Sequence, residues 1–473
     1  MRKKTYYFQT GKGTLLIGML GLMFAFSCAK KQSQPVSRPN LIFIYTDDQR
    51  QDALGACGNE VIQTPYLDKI AKQAVRFPNA HVVFSLCSPS RAAALTGRYG
   101  SANGVLHLGS GLNTGEKTVA QYLQESGYYT AMMGKWHLKQ KPQELGFDES
   151  AYFLSNGTYY GRKIFDGDSV ITPEKHCDGY CVEKSIEFLE KAANSDQPFF
   201  LFHCTQLPHM NGKLVWDAKT ETKARYSVAD MPVATSRLDD LSDKPEYLKT
   251  VRNRIQSAEY GYPDSLAIKQ HTLEYYAVIT EMDDYLGRLF QKIEDLRLRE
   301  NTYIIFMSDN GWMLGEHGFT SKVLPYAPSA RVPMFVLGPG LKSGDDTQIV
   351  LNIDLAPTLL EWAGVPVPAN IHGKSLKPLL ENPKAPWRES FVYEGLGNYG
   401  GALPNLSVFD GTYRYIRTYS DSTLTQVEYE ELYDQVADKA EMKNLAKEEE
   451  FSTIIRNLEQ HIQTHRQNIL GLK

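Results

Sequence analysis

The chain has 473 residues, 42% of them hydrophobic and 22% charged, an ordinary globular composition able to bury a large core. A formal net charge of −4 argues against a nucleic-acid binder, which would need a basic stripe to neutralise phosphates. The length predicts one large domain with a smaller one, or two to three domains.

In chain order, Met1-Arg-Lys-Lys4 with Lys12 makes a basic leader, and Leu15 to Phe26 an apolar stretch ending in Ser-Cys-Ala-Lys. This fits a signal-peptide core and is too short for a spanning helix, which needs about 20 residues. Ser27 before Cys28 follows the pattern of a bacterial lipoprotein cleavage site, although Ala25-Phe26 departs from its usual residues. The expectation is a leader over 1–27, a tether over 28–37 and an exported protein anchored by lipid at Cys28. The alternative is an ordinary signal peptide ending nearby. No second apolar stretch in the sequence is long enough to span a membrane.

Asn40 to Tyr45 reads as a buried strand running into Asp47-Asp48. Ser85 to Arg98 carries a helix start: Ser88 as N-cap, Pro89 at the first position, helix-forming Ala92 to Leu95, and Gly97 as a stop. Cys87 and Arg91 then sit at the positive end of a helix, where anions bind. A cysteine there has four readings: nucleophile, metal ligand, half of a disulfide, or buried filler. Helical periodicity covers Thr118 to Ser126, and the strand Tyr128 to Met133 leads to Lys135 and His137.

Cys177 and Cys181 suit a local disulfide or two thiols on one face of a helix over Tyr180 to Ala193. With Cys28 as the anchor, five cysteines remain, an odd number for an oxidising compartment. The strand Pro198 to His203 leads to His209, Trp216 to Leu266 is loop-rich, and Ile268 to Leu296 is a long helix. The strand Thr302 to Met307 leads to Asp309-Asn310, and a further strand spans Val332 to Leu337. Beyond Ala385, period-two alternation in Ser390–Glu394, Tyr413–Arg417 and Val427–Tyr433 predicts antiparallel strands, followed by a helix over Glu448 to Asn468.

Strands alternating with helices predict an α/β fold with a mostly parallel sheet over 38–384, plus a small antiparallel subdomain over 385–473. Four strands end in titratable groups, at the edge where open parallel sheets form binding crevices. Asp47, Asp48, Asp309 and Asn310 offer oxygens suited to a hard cation, calcium or magnesium, whereas zinc prefers nitrogen and sulfur; taken alone, each pair also reads as capping residues. Lys135, His137, His209 and Lys322 add positive charge or donors if their strand ends meet.

Cys87-Ser-Pro-Ser-Arg91, followed by Ala-Ala-Ala-Leu-Thr-Gly-Arg98, resembles the C-x-P-S-R…T-G-R motif of type I sulfatases. Further blocks match in order: Arg38 to Asp48, Thr64 to Asp68, Gly134 to Leu138, Ser308 to Gly311 with Gly315 to Gly318, and Glu431 to Asp434 with Asn444 to Ala446. The resemblance implies an alkaline-phosphatase-like sulfatase fold and hydrolysis of sulfate esters. It also implies a formylglycine made from Cys87 by a maturation enzyme, and one calcium held by Asp47, Asp48, the residue at 87, Asp309 and Asn310. Arg91, Lys135 and Lys322 would balance charge on the sulfate. His209 would protonate the departing sugar oxygen, and His137 would help release sulfate. His317 is expected beside the site, supporting it or facing substrate, and His203 and His372 are expected to be structural. No serine is assigned to the sulfate pocket, Ser155 being the one considered.

The substrate implied is a sulfated saccharide, handled by a periplasmic or cell-surface lipoprotein of a Gram-negative bacterium. Ser308 to Gly318 resembles N-acetylglucosamine-6-sulfatases, while galactose and uronic acid sulfates stay open. Residues that select the sugar are expected in 155–168, 210–266 and 395–420. Two other readings remain: a phosphonate monoester or phosphodiester hydrolase of the same superfamily, which tends to carry His where Asn310 stands, and a non-catalytic lipoprotein that binds sulfated glycans.

Overall fold

The structure is a computed structural model that describes Gly11 and residues 38–472. The expected leader, tether and lipidated Cys28 lie outside the described residues. Asn40–Asp47 (β1) forms the centre of a ten-stranded sheet because its side chains are apolar on both faces. Ile42 and Ile44 pack towards the helices Cys177–Ala193 and Ser265–Asp295. Leu41, Phe43 and Tyr45 pack the other way, towards the helices Cys87–Thr96, Val119–Glu125 and Leu355–Trp362. The period of two thus serves two separate cores.

The other strands of this sheet are Val75–Arg76 (β2), Tyr129–Lys135 (β3), Glu149–Phe153 (β4), Ile164–Asp166 (β5), Ser169–Ile171 (β6), Phe199–Pro208 (β7), Thr302–Ser308 (β8), Met334–Leu337 (β9) and Gly344–Asp345 (β10). Their order is β10-β2-β9-β8-β1-β7-β3-β4-β5-β6. The central five, β8-β1-β7-β3-β4, are parallel, and antiparallel β9 and β5 flank them. The expected mostly parallel sheet between helices is therefore present, and the carboxyl ends of β1, β3, β7 and β8 lie side by side.

The C-terminal region forms a four-stranded antiparallel sheet of Phe391–Gly395 (β11), Asn405–Phe409 (β12), Tyr413–Tyr419 (β13) and Val427–Asp434 (β14). Strand β12 was not expected: it sits in a Gly- and Pro-flanked run and is recognisable only through its pairing with β11 and β13. The terminal helix spans Ser452–Asn468, starting later than Glu448 because Glu449–Phe451 makes a 3-10 turn first. The change of architecture near residue 385 does not separate two bodies, since Arg38–Lys473 forms one compact unit. Cys177 and Cys181 are both free. Their sulfurs turn to different neighbours, Cys177 towards Gln206 and Cys181 towards the carbonyl of Ala151.

Two glycines matter for the site. Gly97 closes the Cys87 helix at φ +67°, as expected. Gly134 sits at φ +114° beside β7, and a Cβ there would lie 1.7 Å from the carbonyl oxygen of Cys204. Gly134→Ala is expected to lower stability by about 3 kcal/mol or more, through backbone clash and the disfavoured φ, read as a drop in the thermal unfolding midpoint.

Candidate active site

The Cys87 helix is wholly buried, and its first residue points its sulfur at the strand ends. The helix starts at Cys87 itself, so Ser88 is already inside it and is not the N-cap. Leu86 caps without a side-chain bond, and Ser88 Oγ donates instead to the carbonyl of His137, 2.7 Å away. That bond ties the helix start to the loop after β3. Around Cys87 Sγ stand Lys322 Nζ at 2.7 Å, Asp47 Oδ1 at 3.5 Å and Lys135 Nζ at 3.8 Å. A ring nitrogen of His209 lies within 4.8 Å of both Cys87 Sγ and an Asp47 oxygen. Burial, then the Asp47 charge, pushes the Cys87 thiol up to about 12, so it is no ready thiolate.

Asp47, Asp48 and Asp309 bring carboxylate oxygens within 4.8 Å of one another, all buried. Burial works to raise Asp47, but Lys135, followed by His209 and Lys322, holds it well below the usual carboxylate range. Asp48 is raised to about 6 by burial against the pull of Lys322, and Asp309 to about 7 by burial and then by Asp47. Lys135 bonds Asp47, and Lys322 bonds Asp48 Oδ1.

Two buried oxygens here accept no hydrogen bond, Asn310 Oδ1 and Asp48 Oδ2, the latter with His209 Nε2 3.5 Å away. Buried polar atoms are seldom left unpaired. Three carboxylates and an amide oxygen, with two lone-pair atoms free, fit a hard divalent cation, so the donor set agrees with the oxygen-rich expectation.

Asp48 is held at φ +65° to aim its carboxylate. Its N–H donates to Asp309 Oδ1 at 3.2 Å, and its carbonyl accepts from the Tyr275 hydroxyl at 2.7 Å. Arg91 does not reach out towards an anion. Its Nε and Nη2 lie 3.0 and 2.9 Å from Asp309 Oδ2, and Nη1 donates to the carbonyl of Lys135 at 2.8 Å. The guanidinium fork therefore orients a candidate metal ligand while keeping its positive charge among the strand ends.

His209 donates from Nδ1 to the carbonyl of Met210 at 2.7 Å, and its Nε2 stands 3.5 Å from Asp48 Oδ2. Burial, then Lys135, lowers its pKa to about 3. His137 is in the left-handed region at φ +59°, its Nδ1 is buried without a partner, and burial with Lys135 keeps it well below its ordinary value. His317 pairs with Asp239 at 2.7 Å, His203 meets Ser185 Oγ at 2.8 Å inside the core, and His372 accepts from the backbone of Tyr99. Ser155 is partly exposed and gives its carbonyl to Arg162.

Three supporting residues escaped the sequence reading. Asp178 accepts from the backbone N–H groups of Gln206 and Leu207 at 2.8 and 2.9 Å, bracing the end of β7 just before His209. Tyr275 lies in a helix whose apolar period predicts only core. Trp312 stands beside His209, ring centroids 6.2 Å apart, and 6.0 Å from Lys322 Nζ. Only Asp178 left a local signal, an acid in the first turn of a helix.

The sulfatase family profile matches residues 39–365, and that of the N-sulphoglucosamine sulphohydrolase C-terminal region matches 315–468. The N-acetylglucosamine-6-O-sulfatase of Bacteroides thetaiotaomicron is 31% identical, over 94% of this chain and 89% of its own. A solved protein in complex with its substrate D-glucosamine-2-N,6-O-disulfate superposes with a TM-score of 0.80 at 29% identity, covering 91% of this chain and 98% of the other. A phosphonate monoester hydrolase from Silicibacter pomeroyi shares the fold, with a TM-score of 0.76 at 21% identity over 91% of this chain and 96% of its own.

A cation that binds only the folded acid cluster should stabilise it by mass action. Calcium at about 100 times its Kd is expected to add about 2.7 kcal/mol, seen as a rise in the unfolding midpoint. Asp309→Ala should abolish that rise, and an unchanged response would remove Asp309 from the site.

Proposed function

The chain belongs to the sulfatase family and is a sulfuric ester hydrolase, and on that footing we propose that it removes O-sulfate from saccharides, with 6-sulfated N-acetylglucosamine as the first candidate. The observation that carries the site assignment is Cys87 Sγ enclosed by two lysines, His209 and an acid cluster with two unpaired oxygens. The sugar assignment is supported by the relative that acts on N-acetylglucosamine 6-O-sulfate and by the solved neighbour that takes a 6-O-sulfated glucosamine. The likeness to the phosphonate hydrolase, at 21% identity, carries the fold alone.

Calcium, held by Asp47, Asp48, Asp309, Asn310 and the side chain at position 87, would supply positive charge against the sulfate oxygens. Oxidation of Cys87 to formylglycine by a maturation enzyme would supply a hydrated aldehyde as the attacking oxygen, where the protonated thiol offers none.

The chain's own groups do the rest. Lys135 and Lys322 put two ammonium groups beside position 87, where charge on the sulfate oxygens grows in the transition state. Arg91 acts through Asp309, fixing its carboxylate from behind. His209 keeps one proton on Nδ1 against the Met210 carbonyl, and to act as the acid it takes a second on Nε2, which the negative charge of bound sulfate favours against burial and Lys135, before passing it to the departing sugar oxygen. His137 is neutral and within the same field of charges, and takes up the proton released as sulfate leaves. The leader and Cys28 fit export to the periplasm or cell surface of a Gram-negative bacterium, on a lipid anchor.

The test is sulfate release from a panel of sulfated monosaccharides, using protein from a host that carries the maturation enzyme. N-acetylglucosamine 6-sulfate should be the best substrate, and Cys87→Ala should release none. Equal glycan binding by both forms with no release by either would favour a binding lipoprotein instead. His209→Gln should slow the sugar ester 10²- to 10⁴-fold, about the worth of a general acid. It should slow an aryl sulfate much less, because a phenolate leaves without a proton, and an equal loss on both would take the acid role from His209.

A further inference from the structure

The helix Arg252–Glu259 carries Arg252 and Gln256, and Tyr260 caps it, so these three stand four residues apart along one face. One end of this row reaches the residue that follows His209. Tyr260 OH lies 3.7 Å from Met210 Sδ, next in sequence to His209, and Gln256 Nε2 donates to Tyr260 OH at 2.8 Å. At the other end Arg252 Nη1 donates to Tyr399 OH at 2.9 Å, with the guanidinium carbon 5.6 Å from that ring's centroid. The helix is fixed to the Lys322 loop from another side. Asn253 Nδ2 donates to the carbonyls of Thr320 and Lys322 at 2.7 and 2.8 Å.

Arg252 is exposed and, among the described residues, has no carboxylate within ion-pair distance. In a chain with an excess of acids, an arginine whose polar partner is a neutral phenol is a free cation. Its charge reaches back along the row, drawing the Tyr260 phenol down against the upward push of burial.

We propose that this row is a second subsite, running outward from His209, and that Arg252 binds a second anionic group of the saccharide, a sulfate or a carboxylate. It rests on the reading that His209 faces the departing sugar, since the row starts at Met210, the next residue along the chain. A guanidinium matches either group as a two-pronged donor, and Tyr399 holds it in place beneath. A monosulfated sugar leaves Arg252 without an anionic partner, so the second charge sets the preference among substrates.

The test is calorimetric binding to full-length Cys87→Ala protein, which turns nothing over. Three probes are used: N-acetylglucosamine 6-sulfate, N-sulfoglucosamine 6-sulfate, and a disaccharide joining a uronic acid to N-acetylglucosamine 6-sulfate. At least one doubly anionic probe should bind about tenfold tighter than the first, the scale of one charge-assisted hydrogen bond. The probe that does so identifies the second group as sulfate or carboxylate. Adding Arg252→Gln should bring that ratio close to one, and Arg252→Lys should restore part of it. No preference in the parent, or a preference that survives Arg252→Gln, overturns the subsite. Sulfate release by the matured protein is scored separately: its absence counts against the catalytic reading, while the binding ratio judges Arg252.

Discussion

Three carboxylates packed into a dry interior set the terms for everything around them. At 4.8 Å, each ionised pair repels by roughly 3–4 kcal/mol at an effective dielectric of about 20. Arg91, Lys135 and Lys322 each stand against one of the acids. Burying these cations without partners would be as costly, so neither set is stable alone. The strands are what make the meeting possible. β1 and β8 deliver acids, β3 delivers a lysine, and the parallel register places their ends at one level. The two oxygens that accept no hydrogen bond lie where a cation would fit this balance.

The C-terminal sheet is part of that arrangement. Tyr393 on β11 donates its hydroxyl to the carbonyl of Val323 at 2.6 Å and meets Ser85 Oγ at 2.7 Å. Ser85 lies two residues before Cys87 and Val323 directly follows Lys322, so one phenol clasps the segments bearing both. Val323 is held at φ +83°, an unfavourable state for a β-branched residue, and its N–H is taken by Ser85. The apolar cluster beneath joins Phe84, Leu86, Phe391 and Tyr393. A region that looked in sequence like an appendage therefore supports the reacting segment.

What could be read from the chain were the features written locally. β1, β3, β7 and β8 are continuous apolar runs, each closing on titratable residues, and the Cys87 helix announces its end with Gly97. What stayed hidden depends on partners distant in sequence. Tyr275 reaches Asp48 across 227 positions, and nothing in its helical period separates it from neighbouring core residues. Ser88 looked like a cap because capping grammar is local, whereas its bond to His137 is set by tertiary packing. The pairing of Arg91 with Asp309 could not be read from the chain, since the two lie 218 positions apart. The row proposed to meet a second anionic group was least legible, as Arg252 and Tyr399 meet only in the fold.

Burial of the whole Cys87 helix also imposes an order in time. Cys87 is 2% exposed, and Ser88, Ser90 and Arg91 are fully covered. Once the sheet has closed over them, no second protein can grip this stretch without unfolding the parts that hold it. Any enzyme that rewrites the cysteine must therefore win a race against folding, on the nascent or still-extended chain. On the formylglycine reading, a chain that folds first would be sealed with its thiol intact and would be open to the change only by coming apart.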